Sequence, residues 1–139
     1  MRIRTCLMAV VVPLLLVANS HACSCAPPPP PKKALEQAAA VFSGTVLKIA
    51  DADEHHWAVT FAVKASWKGA AEREVVVLTG KDDGICGYKF EKGKSYIVYA
   101  NESVRDKVKH LATGICHRTA PLADAAEEIK ELGQGKPRK

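Results

Sequence analysis

Trp57-Ala58-Val59-Thr60-Phe61-Ala62-Val63-Lys64-Ala65-Ser66-Trp67 alternates with a period of two. Trp57, Val59, Phe61, Val63 and Ala65 share one side, with Thr60 and Lys64 opposite. Successive side chains of a strand point to opposite faces, so this stretch reads as a half-buried β-strand, ended by Lys68-Gly69. Upstream, Val41 to Ala50 is apolar and β-branched, a strand in which Gly44 marks a bulge or a close backbone approach. Downstream, Glu74 to Thr79, Ser95 to Ala100 and Val108 to Thr113 read as further strands. The turns between them are Asp51 to Glu54 and Glu91-Lys92-Gly93-Lys94, with a loop from Gly80 to Gly87. Tyr88 and Phe90 lead from that loop into the second turn. Short strands at this spacing predict a mainly β domain, a closed or partly closed antiparallel barrel. At its flanks, Pro27 to Pro31 should lie extended as polyproline II. The Ala-rich Lys32 to Ala40 supplies one or two helical turns. Asp124 to Leu132 reads as a short amphipathic helix stopped by Gly133.

The chain opens in a different texture. Arg2 and Arg4 precede an apolar run from Cys6 to Ala18, broken only by Pro13. Ser20-His21-Ala22 then places small residues where a signal peptidase reads. The run is too short to cross a bilayer core of roughly 30 Å, and no later stretch approaches that length. Residues 1–22 therefore read as a signal peptide, 23–133 as one domain and 134–139 as a disordered basic tail. The expected mature chain is secreted, to the periplasm or the medium. It has 117 residues, 139 less the leader's 22, enough for one domain. Losing Arg2 and Arg4 takes the formal charge from +5 to +3, and the excess concentrates in Lys136-Pro137-Arg138-Lys139. No basic run is interleaved with aromatic residues, which argues against a nucleic-acid partner.

Cys6 leaves with the leader, and Cys23, Cys25, Cys86 and Cys116 remain. An even count in an exported domain of this size reads as two disulfides. A Cys23–Cys25 bond would close a very tight ring. The other two pairings both tie the N-terminus to Cys86 and Cys116, and closing such loops contributes on the order of 4 kcal/mol each in the chain-entropy model. Cleavage before Cys23 makes Cys23-Ser24-Cys25-Ala26-Pro27 the mature N-terminus. An α-amine has a pKa of about 7.7–8.0, so a useful fraction is neutral near neutral pH. A neutral amine and the carbonyl of the same residue can form a five-membered chelate on a metal. Catalytic zinc in metalloproteases keeps one exchangeable water beside its protein ligands, and a rigid chelating terminus could displace it.

Other readings of these residues fit less well. A redox Cys-x-Cys needs an exposed thiol of low pKa, and nothing nearby supplies one. A structural zinc site needs Cys-x-x-Cys or histidine spacing that is absent. A lipoprotein anchored at Cys23 would need a large apolar residue three positions earlier, and acylation would leave an odd cysteine. His55 and His56 point to opposite faces as strand neighbours and fit a solvated turn, and His117 is isolated. No nucleophile motif, supported carboxylate pair or glycine-rich phosphate loop is present, so nothing argues for an enzyme or a bound cofactor.

The order of motifs carries a resemblance. Cys23-Ser24-Cys25-Ala26-Pro27 resembles the Cys-[Ser/Thr]-Cys-x-Pro start of the tissue inhibitors of metalloproteinases. Val41-Phe42-Ser43-Gly44-Thr45-Val46 resembles their first strand, and Ala65-Ser66-Trp67-Lys68-Gly69 the close of their second. Thr79 with Ile85-Cys86-Gly87-Tyr88, Ser95 to Ala100, Thr113-Gly114-Ile115-Cys116 and Ala120-Pro121-Leu122 continue the series. The chain lacks both cysteines of the third bridge that animal members carry, and its turn at Asp51 to Glu54 is short.

The resemblance implies a five-stranded OB-fold Greek-key barrel of the netrin-like type, with Cys23 paired to Cys86 and Cys25 to Cys116. It implies an inhibitor whose wedge, Cys23, Ser24, Cys25, Ala26 and Pro27, enters a zinc metalloprotease cleft; the chain itself is expected to be a monomer. There the Cys23 amine and carbonyl would chelate the partner's zinc, Ser24 would point into the specificity pocket, and Asp83, Gly84 and Ile85 would form a second contact ridge. The alternative from another class is a netrin-like protein-binding module that inhibits no protease and whose terminus is merely stapled.

Overall fold

The computed structural model describes residues 23–138; the leader read at residues 1–22, with Cys6, and the last residue, Lys139, lie outside them. The alternating stretch is strand β2 (His56–Lys68), and its Val59, Phe61 and Val63 are buried while Lys64 is exposed. β1 (Ala40–Asp51) and β3 (Glu74–Gly80) flank it, both antiparallel to it. β4 (Ser95–Arg105) pairs back onto β1, and β5 (Val108–Ala112) pairs with β4 and β3. The result is mainly β, with the five strands β1, β2, β3, β5 and β4 closed into a ring. A shift in the β1–β2 register between Ser43 and Gly44 places the irregularity where the glycine predicted it.

Not every pairing is antiparallel, as the sequence reading had it. β3 and β5 run parallel through Val77–Leu111 and Leu78–Ala112. The reason is arithmetic: strands that alternate direction cannot close a ring of odd number, so one neighbour pair must run the same way. β4 also runs five residues beyond the predicted Ser95 to Ala100. Asn101 to Arg105 continue into a hairpin with β5, turned by Asp106 and Lys107 at φ 48° and 65°. That is the left-handed backbone of a two-residue hairpin turn.

The ring encloses one core and leans on another. Phe42, Val46, Val59, Phe61, Val77, Phe90 and Val98 fill its interior. Outside, α1 (Pro31–Gln37) and α2 (Ala126–Leu132) cover Val41, Ile97 and Tyr99 through Ala34, Ala38 and Ala125. β1 and β4 are thus buried on both faces, which is why Val41 to Gly44 and Tyr96 to Ala100 are continuously buried. Pro31 sits in the first turn of α1, where a missing N–H costs nothing.

The tail departs from expectation. Residues 134–139 read as disordered, but Lys136–Pro137 form strand β7 beside β2, after β6 (Ala120–Pro121) has paired with β4. The Arg138 amide donates to the Lys64 carbonyl at 2.8 Å, and the Trp67 indole donates to the Gly133 carbonyl at 2.8 Å. Backbone pairing and one indole thus dock a segment whose composition reads as frayed. Among the described residues no helix is long and apolar enough to cross a membrane.

Candidate functional site

The two disulfides are Cys23–Cys86 and Cys25–Cys116, with Cα separations of 5.6 and 5.1 Å. Of the two pairings the cysteine count leaves open, this is the one the family resemblance implies. Three segments are thereby gathered at one end of the ring: residues 23–27, the loop after β3 and the loop after β5.

Local chemistry shapes the loop after β3. The Asp82 carboxylate accepts from the Gly84 and Ile85 amides at 2.8 and 3.2 Å, which winds Asp83–Ile85 into one 3-10 turn. An aspartate capping a turn in this way is the ordinary Asx device. Cys86 then takes a left-handed backbone, φ 56°, and turns its sulfur toward Cys23. Gly87 follows because nothing larger fits: a Cβ there would lie 2.0 Å from the Gly80 carbonyl oxygen. The buried Thr79 hydroxyl closes the base of the loop by accepting from the Tyr88 amide at 2.8 Å.

The second loop is pressed against the first. The Thr113 amide donates to the Leu78 carbonyl at 2.9 Å and the Ile115 amide to the Cys86 carbonyl at 3.0 Å. A Cβ on Gly114 would come within 2.3 Å of that same Cys86 oxygen. Ile85, Cys86, Gly114, Cys116 and His117 line one shallow depression of ≈ 260 Å³. His117 is held by its Nδ1, which accepts from the Gly114 amide at 3.1 Å, and by the Asn101 side-chain amide 3.1 Å from Nε2. Burial holds this imidazole below its ordinary pKa, against a smaller opposing contribution from the Gly114 backbone.

Behind the wedge a clamp fixes the proline run. Arg118 meets Glu128 in a two-pronged pair, Nε to Oε1 at 2.8 Å and Nη2 to Oε2 at 3.0 Å, and its Nη1 donates to the Pro29 carbonyl at 3.2 Å. The pair holds the guanidinium's pKa above its usual value. Beneath lies the Tyr99 hydroxyl, buried and without a hydrogen-bond partner among the described residues. Burial, reinforced by Glu128, pushes this phenol strongly upward.

At the surface, Cys23 is half-buried and Ser24, Cys25, Ala26 and Pro27 are exposed. Asp83, Gly84 and Ile85 are exposed beside them, through the bond between Cys23 and Cys86. The structure therefore brings the wedge and ridge residues together at one edge. It adds Ile115, 44 % exposed, next to Cys116, where Ile85 is 41 % exposed next to Cys86. Sequence reasoning singled out Ile85 and passed over Ile115 and Arg118. The available signal for Ile115 was an apolar residue in a loop immediately before a cysteine. His55 and His56 lie at the start of β2, where the His55 carbonyl accepts from the Lys81 amide at 2.9 Å and His56 Nδ1 is 3.0 Å from Asp53 Oδ1. Among the described residues no three His, Cys, Asp or Glu side chains converge on a metal position. No known family model matches the chain, and no curated protein matches it.

Proposed function

We propose that the mature protein is a secreted inhibitor of zinc metalloproteases, built as a single netrin-like OB-fold barrel of the kind found at the N-terminus of the tissue inhibitors of metalloproteinases. The observation that carries the reading is the pair of bonds Cys23–Cys86 and Cys25–Cys116, which fix a half-buried Cys23 and the exposed Ser24 to Pro27 against an exposed loop. The leader read at residues 1–22 would leave Cys23 as the first residue. Its amine and carbonyl then chelate the protease's zinc in place of the exchangeable water. Preorganisation is the point of the arrangement: a terminus already held by two bridges loses little freedom on binding. Ser24 enters the specificity pocket, Ala26 and Pro27 follow along the cleft, and Asp83 to Ile85 make the second contact. No step of this account is chemistry on a substrate, so the protein acts as a plug rather than an enzyme.

The test is one residue long. Adding an alanine before Cys23 converts the α-amine to an amide whose lone pair is delocalised and ligates poorly. Inhibition constants against a panel of zinc proteases should be lost on extension while melting curves superimpose. Equal inhibition by both forms would remove the chelating wedge, and no inhibition by either form would leave the protein-binding module as the better reading. Ser24→Arg is a milder companion, expected to spare only proteases with a roomy or acidic pocket.

A further inference from the structure

One cavity at the base of the loop that carries Cys86, lined from Gly80-Lys81 and Tyr88-Lys89, has a lining that names a ligand class. It opens where β1 and β3 end and β2 begins, and holds ≈ 250 Å³. Its floor is apolar: Val59 is 1 % exposed, Phe90 is 8 % exposed and Ile49 packs against them. Trp57 and Tyr88 form its walls, so three aromatic rings face one small space. Ligand sites run from roughly 300 to 1,000 Å³, so this one falls just below that range, which limits the body of a guest to about one ring.

Its rim carries two cations. Lys81 is fixed: its backbone amide donates to the His55 carbonyl at 2.9 Å, and its ammonium lies 4.6 Å over the Trp57 ring while pairing with Asp51. An ammonium has three donors, and Asp51 engages one of them. Lys89 is free to move, with its side chain 84 % exposed and its nearest carboxylate, Asp83, 4.0 Å away. That contact is too long for a hydrogen bond and is worth little at an exposed site.

We propose that this cavity binds a small aromatic monocarboxylate, with its ring among Trp57, Tyr88 and Phe90 and its carboxylate at Lys81 and Lys89. The apolar floor rewards burial of the ring, and the paired lysines offer donors to an anion at the mouth. A neutral guest of the same shape would gain the first contribution and forgo the second. The site adjoins the loop proposed as the second inhibitory contact, through Lys89 and Asp83, but uses none of residues 23–27 or 83–85, so binding there is read without a protease.

The experiment uses the mature, disulfide-bonded chain, with 3-phenylpropanoate and its neutral amide as probes. Calorimetry and backbone and indole NMR shifts should show saturable binding of the acid, with shifts centred on the Trp57 indole and the amides of Thr79 to Lys81 and Tyr88 to Phe90. The amide should bind at least about tenfold more weakly. Lys81→Gln should weaken the acid more than Lys89→Gln does. If Lys81→Gln lowers the melting midpoint, the exposed Lys89→Gln and the neutral probe decide, since neither disturbs the fold. No saturable shift at these groups, or equal affinity for acid and amide, overturns the proposal.

Discussion

Inside the ring, Phe61 is fully buried and meets Phe42 and Phe90 edge to face, at 5.5 and 5.1 Å between ring centres. At the wedge end, Ser24 to Pro27 are exposed and joined to the body by two disulfides. The first region is held by apolar area removed from water and by close packing, which are non-directional. The second is held by covalent bonds, by an Asx turn at Asp82 and by glycines at 87 and 114 that let backbones touch. The difference teaches what each region can tolerate. A packed interior accepts a conservative apolar exchange, whereas the wedge end accepts almost any side chain at Ser24 but none at Gly87. Such a division suits a surface that has to keep one backbone shape while its side chains meet a partner.

Two variants of similar cost separate the regions. Removing the Cys25–Cys116 bond with Cys25→Ser and Cys116→Ser should cost about 4–5 kcal/mol, from the loop-closure entropy of the long loop it closes. Phe61→Ala should cost about 3–5 kcal/mol through lost transfer energy and a cavity. Urea unfolding measures both. Amide exchange on the native state then tells them apart: the cysteine variant should release protection around residues 114–117 and loosen the N-terminus, and Phe61→Ala should leave that edge as it was. An unchanged edge in the cysteine variant would mean that the hydrogen bond from Ile115 to Cys86 suffices without the bridge.

A smaller effect should come from the clamp. Arg118→Ala leaves Glu128, whose side chain is 11 % exposed, without its partner, at about 3 kcal/mol. It also frees the Pro29 carbonyl; residues 27–31 carry no N–H, so the loosening should appear as faster exchange of the Ala34 amide, which donates to the Pro30 carbonyl at 2.9 Å. Arg118→Lys should recover only part of this, because an ammonium cannot make the two-pronged contact. Full recovery with lysine, read from melting curves, would show that charge alone and not the fork holds the run.

The smallest effect is a pH dependence remote from both regions. Asp53 accepts from the His56 ring and the His55 amide and faces Arg105 at 2.8 Å. These hold its carboxyl at about 2 instead of 3.8, the His56 hydrogen bond chiefly. The folded pKa lies below the unfolded one, so the contribution is present above about 3.8 and is lost as pH falls through about 2. Asp53→Asn should therefore melt below the native protein at neutral pH, with the gap narrowing over that acid window. A gap that widened on acidification would reverse the sign of the argument.

How much of this was legible follows from the physics of each element. β2 announced itself because one of its faces meets the core and the other meets solvent, which writes a period of two. β1 was legible as an apolar run because it is buried on both faces. Asn101 to Arg105 were hidden, since a polar hairpin beyond the core looks like a turn, and β7 was hidden because a two-residue edge pairing imposes no pattern. The parallel β3–β5 contact lies in topology rather than in any local stretch. Residues 23–27 stood out by their cysteines and 83–85 by resemblance, but Arg118 and Glu128 pair across ten residues of unrelated structure, and no spacing rule brings them together.

The central claim is that the Cys23 amine and carbonyl bind the partner's metal. A metalloprotease whose zinc has been replaced by cobalt reports its ligands directly in its visible spectrum. Titration with the mature protein should shift the cobalt bands in proportion to inhibition, and titration with the alanine-extended protein, matched for melting behaviour, should leave them in place. Inhibition by the mature protein with an unperturbed cobalt spectrum would contradict the account.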